Sequence, residues 1–124
     1  MLPQIYEKVE DGIFSLEALL VLTDNGIMLF VGGGEKPHIG TVVISQPRPS
    51  MKGGNGISCT TSVTNMLSHK DDLIIIPIAE AVCKKANTVV AASGGVHIDA
   101  AEEFDIKRLM DNMEEITKKL LARL

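Results

Sequence analysis

From Phe14 to Thr23 the chain alternates. Phe14, Leu16, Ala18, Leu20 and Leu22 fall on one side, and Ser15, Glu17, Leu19, Val21 and Thr23 on the other. A period of two is strand periodicity, and here it turns fully apolar midway. Asp24-Asn25-Gly26 follows, and Asn-Gly supplies the positive φ angles of a tight hairpin turn. Ile27 to Val31 then reads as the returning strand.

Gly32-Gly33-Gly34-Glu35-Lys36-Pro37-His38 interrupts the pattern before a third strand, Ile39 to Gln46. Pro47 and Pro49 are expected to end that strand, because proline removes a ladder donor. Ser50 to Gly56 reads as a flexible connector, and the Thr- and Ser-rich Ser58 to Leu67 as a fourth strand near a sheet edge. Asp71 or Asp72 can cap a helix running to about Ala86, which Pro77 either kinks or delays. Thr88 to Ala92 is a fifth strand, closed by Ser93-Gly94-Gly95. The last helix carries one apolar stripe, Ile106, Leu109, Met110, Met113, Ile116, Leu120, Leu121 and Leu124, with Asp105 as its cap.

The order β-β-β-β-α-β-α puts strands first and helices after. It predicts a single α+β domain over residues 1–124, a mainly antiparallel sheet with helices packed on one face. An open sheet leaves edge backbone groups in need of cover, so pairing of two chains into a homodimer is expected.

Hydrophobic residues make up 45% of the chain, enough for a real core. With no Trp, one Tyr and three Phe, that core is built from aliphatic residues, and little remains for stacking bases. The net charge of −4 comes without a basic tract, which argues against nucleic acid as a partner. The apolar run Leu73 to Ala79 is too short to span a bilayer and is broken by Pro77, so no membrane association is expected. Met1 to Asp11 has neither the basic nor the apolar region of a secretory signal. Cys59 and Cys83 lack CxxC spacing and read as buried free thiols, which suits a reducing, cytoplasmic setting.

The three histidines all fall in predicted connections, beside Gly, Lys and Asp. Glycines such as Gly33, Gly34, Gly94 and Gly95 expose backbone N–H groups and admit a ligand closely. The helix after Ser68-His69-Lys70 offers a positive dipole end, and Lys70 a charge, so a phosphate would suit that position. The plainer alternative is that Asp71 only caps the helix and Lys70 is solvated. Neither GxxxxGK[ST] nor GxGxxG is present, and no GxSxG turn marks a nucleophile. The histidines could hold a divalent metal with Asp72 or Asp99 if their loops converged, though they lack HxH or HExxH spacing. That alternative defines a small metal-dependent enzyme.

Taken together, the segments PHIGTVV, SHKDD and GGVHID resemble the prenylated-flavin chaperone family, also called LpdD-like. The resemblance runs from about Gly32 to Leu124, departing at Ser68, where glycine is expected. It implies a protein that binds prenylated flavin mononucleotide and assists its maturation or delivery to a UbiD-type decarboxylase. It carries over to His38 with Gly40, His69 with Lys70 and Asp71, and His97 with Asp99, with Lys36 and Pro37 in the same segment as His38. The three histidine loops are accordingly expected to meet in one pocket. A non-catalytic interaction module of a decarboxylase complex is the remaining alternative.

Overall fold

The computed structural model describes residues 1–66 and 71–124. The strands are β1 (Gln4–Val9), β2 (Leu16–Leu22), β3 (Gly26–Gly34), β4 (Thr41–Pro49), β5 (Ile57–Asn65) and β6 (Val89–His97). The helices are α1 (Asp72–Ala86) and α2 (Glu103–Leu121), and a short 3-10 turn (Gly12–Phe14) joins β1 to β2. They form one six-stranded sheet in the order β1-β2-β3-β6-β4-β5.

Pairing is antiparallel everywhere except between β3 and β6. The α+β architecture and mainly antiparallel sheet therefore hold, but the sheet is mixed. β6 returns after α1 and inserts between β3 and β4, so the centre of the sheet is its most non-local part.

Period two sets the faces. Leu16, Ala18 and Leu20 of β2, Leu29 and Val31 of β3, Val43 of β4 and Val90 and Ala92 of β6 are buried on one face. Ile75, Ile78 and Val82 of α1 and Leu109, Met113, Ile116 and Leu120 of α2 are buried in the same core. Ile106, assigned to that stripe from its spacing, is instead 46% exposed.

Several elements differ from the sequence expectation. β1 precedes the first expected strand, and its burial pattern, with Ile5 and Val9 buried, is that of an edge strand with one covered face. The Gly32–Gly34 and Gly94–Gly95 segments lie inside β3 and β6, so His97 is a strand residue. β4 continues through Pro47 and Pro49 because its pairing with β6 stops at Ser45, leaving only β5 beyond. There a missing N–H need not interrupt a central ladder. Pro77 lies within α1. Cys83 is buried but Cys59 only partly so, and burial pushes both thiols above their ordinary range, with the nearby Glu80 carboxylate adding to it.

The two helices begin differently. At α2 the Glu102 N–H donates to the Asp105 carboxylate at 3.0 Å, so Asp105 sits inside the first turn and ties back to the residue before the helix. Asp71 stands at the cap position of α1 but makes no capping hydrogen bond with its side chain.

Candidate functional site

The Asp71 carboxylate turns away from its own helix. Oδ1 accepts the Val96 N–H at 2.9 Å, and Oδ2 lies 3.0 Å from Nε2 of His38. The reading of Asp71 as a mere helix cap is thus replaced by a tie between α1, the end of β6 and the β3–β4 loop. A carboxylate this buried (8% exposed) is tolerable only with such partners.

His38 is held from both sides. Nδ1 lies 2.9 Å from the Lys36 carbonyl and Nε2 faces Asp71, so both ring nitrogens meet accepting oxygens.

Glycine makes the room. A Cβ on Gly40 would stand 1.8 Å from Asp71 Oδ2, and one on Gly95 would stand 2.6 Å from His38 Nε2. The pair therefore occupies space that only hydrogen leaves open at those two positions. The glycines of the runs Gly32–Gly34 and Gly94–Gly95 sit in strands rather than in the connections expected of them. Gly33, Gly34, Gly94 and Gly95 belong to the ladder, and the Gly34 N–H is already bonded to the Ser15 carbonyl. They permit close approach rather than offering a loop of free donors.

His97 ends β6 beside this pair. Its ring centroid is 6.3 Å from that of His38, with the planes at 76°. Nε2 of His97 lies 2.7 Å from Asp99 Oδ1, and this hydrogen bond, with the His97 and Lys36 charges, lowers the Asp99 carboxyl below its ordinary range. The Asp99 N–H donates to Glu35 Oε1 at 2.9 Å, while the Glu35 N–H donates to the His97 carbonyl. Glu35 had no signal in the sequence beyond following Gly34.

The described residues thus bring together His38, Gly40, Asp71, Gly95, His97 and Asp99, with Lys36 and Pro37 in the exposed loop alongside. Ser68, His69 and Lys70, assigned to the same pocket from sequence, lie outside the described residues. Among the described residues no three His, Cys, Asp or Glu side chains group as metal donors. The divalent-metal expectation is therefore not carried forward.

Beside the histidines a cleft of about 300 Å³ opens between the helices and the end of β6. Leu73, Ile74, Val96, Ile98, Leu109 and Met110 wall it, and Asp71 and His97 stand in its lining. Its volume is at the small end of ligand pockets, and its makeup, apolar walls with a few polar groups, is typical of them. Leu73 (60% exposed) and Ile106 also line it, with Phe104 (71%) two residues away on α2.

Fold and site together define a small α+β domain whose polar groups converge at one end of its sheet. The chain belongs to a family, the prenylated flavin chaperone LpdD-like domain, which matches residues 10–124. Among solved structures it is similar in fold to a chain from a chaperone complex for yeast 20S proteasome assembly. That similarity has 17% identity and a TM-score of 0.59, and covers 98% of this chain and 93% of the other. No curated protein matches the chain. Among the described residues, no helix is long and apolar enough to cross a membrane.

Proposed function

We propose that the chain holds prenylated flavin mononucleotide at the His38–Asp71–His97 end of the sheet and presents it to a UbiD-type decarboxylase in the cytoplasm. The observation that carries this reading is the His38–Asp71 pair, set 6.3 Å ring to ring from His97 beside an apolar cleft. The residues suit such a ligand in two ways. Leu73, Ile74, Val96, Ile98 and Met110 offer aliphatic walls to its ring system, and Lys36 and His97 offer donors to an anion.

When bound, the cofactor supplies the electrophilic chemistry that a decarboxylase needs. The chain's own residues do something simpler. Asp71 holds the His38 ring against the end of β6, and His97, tied to Asp99, sets a second imidazole at the site. Aliphatic walls keep water from one side of the ligand. The exposed Leu73, Ile106 and Phe104 beside the cleft suit contact with the receiving protein.

The test is an anaerobic titration with reduced prenylated flavin mononucleotide, followed by absorbance and native mass. One cofactor per chain is expected, and absence of any adduct at micromolar concentrations overturns the reading.

A further inference from the structure

The helices cover one face of the sheet. The other face is open, and it carries no charge across its middle. Cross-strand register sets two rows there. One runs Tyr6, Leu19, Phe30, Ser93, Val42, Thr64, and the next Gln4, Val21, Met28, Ala91, Ile44, Ser62. Met28 is 59% exposed, and Tyr6, Val42 and Ile44 are exposed with it. Charged side chains, Lys8, Glu17 and Arg48, appear only outside these rows.

Shape adds to composition. β3 raises a ridge, Met28 and Phe30, while its neighbour β6 presents only Ala91 and Ser93. Between that ridge and Val42 a groove of about 270 Å³ results. Ridge and groove lie on the two central strands of the six.

We infer that this face is the interface of a homodimer in which two copies of the chain pack sheet against sheet. A two-fold axis running along the strands, between β3 and β6, would lay each Met28–Phe30 ridge over the partner's Ala91–Ser93 groove. The surface matches itself, as a two-fold contact requires. An uncharged face needs no oppositely charged partner, which favours a second copy over a protein chosen by charge.

The area is adequate. Six strands about 4.8 Å apart, each offering about five residues of face, span roughly 500 Å² in plane. Side-chain relief raises this toward the roughly 600 Å² per partner at the lower limit of stable interfaces. Aligned sheets pack about 10 Å apart, which leaves space for one interdigitated layer of side chains.

This interface differs from the edge pairing expected of an open sheet, and it touches the site. Phe30 and Pro37 both cover Gly32, at 2.9 and 3.0 Å from where its Cβ would stand, so the open face runs into the His38 loop. Dimerisation would put a partner surface beside that loop in each copy.

The experiment is sedimentation velocity or light scattering on the full chain without flavin, at tens of micromolar. The wild type should have twice the chain mass. Met28→Asp and Ile44→Asp, made separately, should each weaken dimerisation at least about a hundredfold, since each buries a charge without an opposite partner in the apolar interface. Both sites lie off the helix-covered core, so circular dichroism should stay unchanged. A monomeric wild type overturns the inference. So does a dimer that survives both substitutions but is lost in Thr64→Pro, a change on the β5 edge. Because no flavin is present, the outcome is independent of the cofactor-binding reading.

Discussion

Two aspartates near the starts of the two helices put the same chemical group to different use. At α2, Asp105 stays local and accepts the Glu102 N–H one turn back. At α1, Asp71 leaves its helix uncapped by a side chain and reaches the Val96 N–H and His38, 25 and 33 residues away. A helix start that forgoes its local bond for two distant ones gives up intrinsic helix stability and gains placement of an imidazole. The difference separates a residue that serves its own element from one that serves a site.

The comparison breaks most clearly at Asp71. Asp71→Asn should cost about 2–3 kcal/mol of unfolding free energy, the scale of hydrogen bonds to a charged group, measured by urea denaturation. Glycine substitutions that crowd the same pair come next. Gly40→Ala and Gly95→Ala should each cost about 1–3 kcal/mol through overpacking. Both should move the His38 ring signals in NMR spectra while leaving those of α2 in place. Asp105→Ala, the matching change at the local helix start, should cost about 1 kcal/mol and leave the His38 signals unmoved.

The smallest effect concerns acid. Asp99 has a folded-state carboxyl pKa below its ordinary value. Its contribution to stability is therefore present above about pH 4 and lost as pH falls through the lowered folded value. Asp99→Asn should remove that part of the acid dependence, and the change should be small because the carboxylate is exposed.

Local pattern made some of this visible. Asp24-Asn25-Gly26 placed the β2–β3 hairpin, and 3.6-residue spacing placed Leu109, Met113, Ile116 and Leu120 on the buried side of α2. β1 was hidden because Glu7, Lys8 and Glu10 dilute the alternation of Ile5 and Val9, as a half-solvated edge allows. The glycine runs read as breaks because nothing local says why a strand should carry them. Their reason is the space needed by His38 and by the Ser15 carbonyl, which come from elsewhere in the chain. The parallel β3–β6 pairing was equally non-local. Asp71 could be read as a cap because cap residues and residues that hold a distant imidazole are the same types. Only the path of its side chain separates the two.

The most direct measurement compares Asp71→Asn with Asp105→Ala in anaerobic titration with reduced prenylated flavin mononucleotide, each checked for fold by circular dichroism. Wild type and Asp105→Ala should bind alike, whereas Asp71→Asn should bind at least about tenfold more weakly, as loss of a charge-assisted hydrogen bond near the ligand implies. Equal affinity in all three proteins would contradict the claim that Asp71 organises the binding site.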